Sequence, residues 1–369
     1  LPERLVAVGF QTIAVVTGGH SLRESDHWGA FLKALDAGGI SYRDYRSHGE
    51  PSPEFVDATA EELRSDPPDA VVAIGGGSVI DAGKAVAAML AEDGSVVEYL
   101  EGVGTRSPSG DKIPFVAAPT TSGTGSEATK NAVISSVGPN GYKKSLRHDN
   151  YVPDMAFVDP ALIRSCPPSV TAASGMDAIT QLLEAYVSAN SSALTDALAE
   201  SGLGAAGQSF KRAVEHGDED LEARAGMAYA AYLSGVTLAN AGLGVVHGIA
   251  SPVGARYPAP HGVVCGTLIG EATKLSVAWL RQRGAAAALA KYARAAELLT
   301  GTPFADTDEA CDALVELLSA WTDQLAIPRL GEYGVVGADA PEIARASGIK
   351  NSPAHLSEDD LVRLIQARV

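Results

Sequence analysis

One carboxylate, one amide and two imidazoles stand at spacings that could enclose a divalent ion. Asp177 and Gln181 are four residues apart in MDAITQLLEAYV, so on a helix they share a face. His247 lies in GLGVVHG and His261 in PAPHG, each beside glycines that let backbone and side chains crowd around one point. A second kind of chemistry is offered by Gly75-Gly76-Gly77-Ser78. Three glycines at the start of a helical stretch let backbone N–H groups approach an anion, and Asp81 follows one turn later. The spacing is not the GxGxxG dinucleotide fingerprint, so a tight structural turn is the competing reading.

The elements that would position these residues change character along the chain. Ile13–Thr17, Ile40–Arg46, Ala70–Ile74 and Phe115–Ala118 read as short strands, most of them apolar and buried, and Ala156–Val158 as a last short run. Between them, Trp28–Gly38, the stretch PSPEFVDATAEELRS and the stretch VIDAGKAVAAML have helical spacing, whereas residues 101–112 read as a loop. This rhythm predicts a parallel, doubly wound sheet. Its strands place their carboxyl ends on one side, so the glycine turn at 75–78 and the polar loop 120–127 should face the same crevice. From Pro168 onward the chain is rich in Ala and Leu with helical periodicity. The expected division is an α/β part over 1–160 and an all-helical part over 161–369.

With 28 basic against 45 acidic residues, the net charge of −17 has the wrong sign for nucleic-acid binding. No uninterrupted apolar run reaches the roughly 20 residues of a membrane span, so no membrane association is expected. Three scattered cysteines, Cys166, Cys265 and Cys311, without a CxxC pair suit a reducing cytoplasm and no disulfide framework. No signal peptide is read at Leu1, and the missing initiator Met leaves room for a few further residues.

GGGSVIDAGKA (75–85), PTTSGTGSEAT (119–129), the Asp177 helix and GLGVVHGIASPVGARYPAPHG (242–262) occur in this order over nearly the whole chain. Together they resemble the iron-containing (group III, metal-dependent) alcohol dehydrogenase family. The resemblance implies a dehydroquinate-synthase-like fold: an α/β dinucleotide-binding domain, a helical domain, and a divalent ion, Fe2+ or Zn2+, in a cleft between them. It assigns Gly76, Gly77, Ser78 and Asp81 to the pyrophosphate loop, Thr120, Thr121, Ser122 and Thr124 to a second cofactor loop, and Lys143 to the cofactor ribose. Asp177, His247 and His261 match the family's ion ligands, but Gln181 stands where the family has histidine. A glutamine carbonyl is a weaker transition-metal ligand than imidazole. Three readings follow: Gln181 coordinates through its oxygen, three protein ligands hold the ion with water, or the ion is gone. Ser251 replaces a histidine that many relatives carry near the nicotinamide, which removes that proton route.

At the exit of the first strand, Val16-Thr17-Gly18-Gly19-His20-Ser21 lacks the acid common in NAD-preferring relatives. Gly18, Gly19 and Ser21, with Arg23 as a further candidate, then offer N–H and side-chain donors to a 2′-phosphate, so the reading leans to NADP(H) over NAD(H); a plain turn is the alternative. The cluster KKSLRH (143–148) suggests an anionic substrate, a carboxylate or phosphonate aldehyde, or else a solvated loop. The expected function is an NAD(P)-dependent alcohol dehydrogenase or aldehyde reductase, with metal-assisted hydride transfer at a small alcohol or aldehyde. A proton would come from water or the ribose hydroxyls, and a homodimer is common in the family. A metal-independent reductase of the maleylacetate-reductase kind, and a non-catalytic nucleotide-binding relative, are the alternatives.

Overall fold

The computed structural model describes residues 1–19 and 21–369; His20, in the strand exit quoted above, lies outside the described residues. The strands are β1 (Thr12–Thr17), β2 (Ser41–Arg46), β3 (Ala70–Gly75), β4 (Phe115–Pro119), β5 (Asn131–Ser136), β6 (Tyr142–Arg147) and β7 (Met155–Ala156). The helices up to the change of character are α1 (Pro2–Val8), α2 (Asp26–Ala37), α3 (Pro53–Arg64), α4 (Gly77–Met89) and α5 (Pro160–Ile163). Then follow α6 (Pro168–Tyr186), α7 (Ala193–His216), α8 (Leu221–Ala241), α9 (Val245–Arg256) and α10 (His261–Gln282). The last are α11 (Ala286–Thr300), α12 (Thr307–Gln324), α13 (Ala340–Ala346) and α14 (Glu358–Gln366).

Two compact units result: residues 1–121, 126–136 and 143–165 in the first, and 122–125, 137–142 and 166–369 in the second. In the first, β2-β1-β3-β4-β7 form a wholly parallel sheet. The strand β3 (AVVAIG) is buried along its whole length, as its unbroken apolar run demands. The chain leaves β1 toward β2 and returns as β3 on the other side of β1, so the topological switch point lies between β1 and β3. Helix α4 packs closely on this sheet because position 83 is glycine: a Cβ there would lie 2.8 Å from that of Ala73.

A two-stranded sheet of β5 and β6 also forms, which the sequence reading left unassigned. Its connection, 137–141, is too short for a parallel crossover. The residues KKSLR of the basic cluster are therefore strand, not loop. The final run over 156–158 is shortened to Met155–Ala156, paired with β4.

The second unit is helical. Its core gathers Ile179 and Leu182 of α6, Phe210 of α7, Met227 of α8, Ile249 of α9, Leu268 of α10 and Leu314 of α12. From Gly175 to its end α6 is buried on every side, which makes the polar residues Asp177, Thr180, Gln181 and Glu184 conspicuous. Thr180 satisfies itself by donating to the Met176 carbonyl at 2.7 Å. The other three need partners from elsewhere. Among the described residues, α10 alone is long and apolar enough to cross a membrane as a single helix, but 72% of its most apolar window is buried within the protein.

Candidate active site and metal centre

In the first unit, β3 ends at Gly75 and α4 begins at Gly77, so 75–78 is the junction between the central strand and a helix N-terminus. The N–H groups of the first helical turn have no intrahelical acceptors and carry the positive end of the helix dipole. Gly75 is required by packing, since a Cβ there would lie 2.6 Å from that of Val79. Gly76 is not: the nearest atom to its hypothetical Cβ is Thr121 Oγ1 at 3.4 Å. Its open face is therefore free for a ligand. Gly18, at the end of β1, approaches the same helix start, with Val79 Cγ2 3.2 Å from its hypothetical Cβ, and Thr120 N donates to the Gly75 carbonyl. Gly18, Gly76, Thr120 and Thr121 thus gather at the carboxyl ends of β1, β3 and β4, beside the switch point. Gly19 borders open space and Ser21 is exposed.

Other residues assigned to the cofactor have structural duties. Asp81 is buried within α4, and its Oδ2 accepts from Val133 N of β5 at 3.0 Å. Burial pushes its carboxyl up despite the nearby Lys84 cation. Lys84, also buried, donates to the carbonyls of Ser126, Thr129 and Asn131 at 2.7–2.9 Å and ties α4 to the chain after β4. Burial draws Lys84 down to about 8 and raises Glu127 to about 7. Lys143 of β6 is buried against Glu50, with Nζ–Oε2 2.8 Å. Ser122 and Thr124 lie in a stretch that packs with the second unit, where Gly123 abuts Ser174 and Gly125, at φ +60°, abuts Gly235.

Arg23 pairs with Asp44 of β2 and donates to Thr17 Oγ1. In the basic cluster, Arg147 pairs with Glu101 at 2.7 Å, and His148 Nδ1 accepts from Asn150 N. These cations already have carboxylate partners.

In the second unit, α6 carries Asp177 and Glu184 seven residues apart, on the same side. The α8–α9 turn bends by 99° at 242–244, and Glu184 Oε1 accepts from Val246 N at 2.6 Å in the first turn of α9. Gly244 permits this, because a Cβ there would lie 2.9 Å from Glu184 Oε1. The other oxygen of Glu184 holds His247 Nδ1 at 2.7 Å. Helix α10 starts on His261 and packs on α6 through glycines four apart: a Cβ on Gly262 would meet Ala173 O at 2.6 Å, and one on Gly266 Met176 Cβ at 2.9 Å. This close crossing sets His261, and Cys265 one turn on, beside Asp177.

Asp177 Oδ1 lies 3.3 Å from His247 Nε2 and 3.7 Å from His261 Nε2. Cys265 Sγ lies 3.6 Å from the first nitrogen and 3.8 Å from the second. All four ligand atoms fall within 4.8 Å of one another, and all but His261 are buried. His261, with a side chain 24% exposed, is the member that reaches solvent. Gln181, one turn beyond Asp177, is buried with an Oε1 that has no hydrogen-bond partner. Ser251 lies one turn after His247 and its hydroxyl leans back to the His247 carbonyl.

The donor set fits a cation. With Nδ1 on Glu184 carrying the proton, a neutral His247 turns an Nε2 lone pair toward Asp177. Asp177 Oδ1 completes no hydrogen bond, so two acceptors face each other across 3.3 Å in a dry interior. A positive charge between them removes that penalty. Without an ion, protons on the imidazoles meet the same demand for positive charge. Burial would raise Asp177, but the charges of His261 and His247 hold it below its usual value. Burial would also lower His247, but its acidic surroundings hold it well above. Burial pushes the Cys265 thiol up to about 12. Sequence reasoning missed Glu184 and Cys265; the i, i+7 spacing from Asp177 and the i, i+4 spacing from His261 were the available signals.

Comparisons with known proteins agree with this architecture. Residues 1–160 match the family model described as iron-containing alcohol dehydrogenase, and 171–369 match that of the Fe-containing alcohol dehydrogenase family, C-terminal. The chain is 36% identical over 311 residues to long-chain-alcohol dehydrogenase 1 of Geobacillus thermodenitrificans (strain NG80-2), covering 81% of this chain and 74% of that protein. It is 33% identical over 324 residues to the probable alcohol dehydrogenase EutG of Escherichia coli (strain K12), covering 86% and 78%. A crystal structure of 1,3-propanediol oxidoreductase superposes with a TM-score of 0.88 at 28% identity, over 100% of this chain and 95% of that one. The chain belongs to the iron-containing alcohol dehydrogenase family.

Proposed function

We propose that the protein is a nicotinamide-dependent alcohol dehydrogenase working reversibly as an aldehyde reductase, with residues 1–160 holding the dinucleotide and 161–369 the ion. The observation that carries the reading is the convergence of Asp177, His247 and His261 on one point, in a chain whose β3–α4 junction is built for an anion. When bound, the nicotinamide gives or takes the hydride and the divalent ion, Fe2+ or Zn2+, lends Lewis acidity to the substrate oxygen.

The chain's own residues bind, orient and shield. Backbone N–H groups at Gly76–Ser78 receive the pyrophosphate, and Gly18, Gly19 and Ser21, with Thr120 and Thr121, border its seat. We carry Asp81, Ser122, Thr124 and Lys143 as further cofactor residues, through the loops and strand that they support. Asp177 supplies the negative charge of the ion site, and Glu184 fixes the His247 ring with its proton on Nδ1. Gln181 stands beside them. His261 is where the site meets solvent, so proton exchange with water occurs on that side.

Small neutral alcohols and aldehydes are the substrates best supported, because Lys143 and Arg147 of the basic cluster are already paired with Glu50 and Glu101. The same reasoning turns the cofactor reading toward NAD(H): Arg23, one of the groups available for a 2′-phosphate, is engaged by Asp44. We further propose a homodimer in a reducing compartment, where Cys166, Cys265 and Cys311 are free thiols.

The test is oxidation of NADH and NADPH with a panel of neutral and anionic aldehydes, before and after chelation, with elemental analysis of the purified protein. Activity lost on chelation and restored by Fe2+ or Zn2+ supports the reading. Full activity without bound metal would assign the chain to the metal-independent reductases, and no turnover of any aldehyde would make it a nucleotide-binding relative.

A further inference from the structure

We infer that Cys265 is the fourth protein ligand of the ion, in place of the residue at position 181, and that the resulting set of Asp177, His247, His261 and Cys265 prefers zinc to ferrous iron. The inference rests on the metal-dependent reading above and refines it.

The distances carry it. Around a tetrahedral zinc with metal–nitrogen and metal–oxygen bonds of about 2.0–2.1 Å and a metal–sulfur bond of about 2.3 Å, nitrogen and oxygen ligands sit about 3.3 Å apart and nitrogen and sulfur about 3.6 Å apart. The observed separations are 3.3 and 3.7 Å for nitrogen to oxygen, and 3.6 and 3.8 Å for nitrogen to sulfur. These are four of the six edges of one tetrahedron with Cys265 at a vertex, and the remaining two are within 4.8 Å.

The surroundings of the sulfur point the same way. The Cys311 thiol donates to the Leu289 carbonyl, as a structural thiol in a helical core does. Cys265, fully buried, instead faces the Nε2 atoms of two imidazoles. With Nδ1 held by Glu184, it is the Nε2 of His247 that turns toward the sulfur and offers its lone pair to an ion once deprotonated. Asp177 Oδ1, buried and without a hydrogen bond, completes the convergence.

Position 181 and position 265 are then complementary. A neutral amide oxygen contributes little to a transition ion, whereas a thiolate is a strong, soft donor. Replacing an imidazole by a thiolate keeps the number of ligands and moves the preference toward zinc. On binding, the Cys265 S–H bond breaks, its proton leaves to solvent, and the sulfur lone pair forms the bond to the ion; no electron is transferred.

Metal binding can be read without any catalytic assay. Metal-free protein loaded with Co2+ should take up one ion per chain and show a sulfur-to-cobalt charge-transfer band in the near ultraviolet. Cys265→Ser should abolish that band and weaken Zn2+ binding at least about tenfold, the loss expected even for a residue that only supports a ligand. Gln181→Ala should keep the band. Circular dichroism of each variant checks that the fold persists, and the wild-type spectrum decides the matter even if a variant does not fold. Cobalt bound without the band, or Zn2+ affinity unchanged in folded Cys265→Ser, overturns the sulfur ligand while leaving the metal reading intact. Failure of the wild type to bind Co2+ or Zn2+ overturns both. Equal or tighter binding of Fe2+ than Zn2+ in competition overturns the selectivity.

Discussion

Glu184 grips His247 by Nδ1 at 2.7 Å while its other oxygen caps the start of α9 through Val246 N. One carboxylate therefore fixes both the tautomer of an imidazole and the position of the helix that carries it. Glu184→Gln keeps the shape but loses the charge-assisted bond. The expected outcome is a 10- to 100-fold loss of Zn2+ affinity, roughly the range for partners of metal-ligating histidines. Competition with a chromophoric chelator measures it, and an unchanged affinity would mean that the ring is held by packing alone.

Gly75 and Gly76 separate packing from ligand approach. Gly75→Ala forces Val79 aside and should lower the melting temperature. Gly76→Ala meets only Thr121 at 3.4 Å, so its stability cost should stay within about 1 kcal/mol. Its Cβ nevertheless occupies the face open to the nucleotide, and NADH binding should weaken about tenfold. Thermal melts and fluorescence titrations of the two variants should show opposite rankings.

Arg147 lies exposed with Glu101 as its partner. Arg147→Ala should change KM for neutral and carboxylate-bearing aldehydes by the same factor, within about twofold. A rise confined to the acidic aldehyde would show that the cation leaves Glu101 for the substrate, and would restore the anionic class.

Asp44 holds Arg23 at the end of the sheet next to β1. Asp44→Ala frees that guanidinium and removes a negative charge, so the ratio of kcat/KM for NADPH over NADH should rise about tenfold. Parallel steady-state assays with both nucleotides check this; an unchanged ratio places the pair away from the ribose.

Asp69 accepts from Gln11 N and Thr12 N, both at 2.8 Å, and these backbone donors hold its carboxyl below the ordinary 3.8. A depressed acid stabilises the fold above its unfolded value, and that contribution fades as pH falls through the folded one. Asp69→Asn should cost about 1 kcal/mol near neutrality. In urea unfolding the gap to wild type should close in acid; a gap independent of pH would contradict the charge-based account.

The sheet was legible because β1, β3 and β4 are unbroken apolar runs that stop at Gly or Pro, a purely local signal. The hairpin of β5 and β6 was not, since its half-exposed strands are short and YKKSLR reads as a charged loop until Ala132, Ile134 and Leu146 are seen buried. In the site, Asp177, His247 and His261 stood out by type and by a family pattern. Cys265 was weighed only as a possible disulfide or redox thiol. Glu184 was not singled out, because a lone acid in LLEAYV carries no local sign of what it will meet. Its role depends on α6 being surrounded on all sides, which no local spacing reveals. Arg23 and Arg147 were read as available cations because their acidic partners, Asp44 and Glu101, are 21 and 46 residues away in sequence.

The burial of α6 has a consequence for how the helical unit assembles. Asp177, Gln181 and Glu184 travel into the interior on one side of that helix, and the partners of Asp177 and Glu184 arrive on α9 and α10, at least 60 residues downstream for the Glu184–His247 pair. Until those two helices dock, the inner side of α6 is a stripe of dry, uncompensated polarity. Partial packing is thus penalised, and the unit should gain and lose its structure in one concerted step. Amide hydrogen exchange would then show α6, α9 and α10 opening together, with the same protection and the same denaturant dependence.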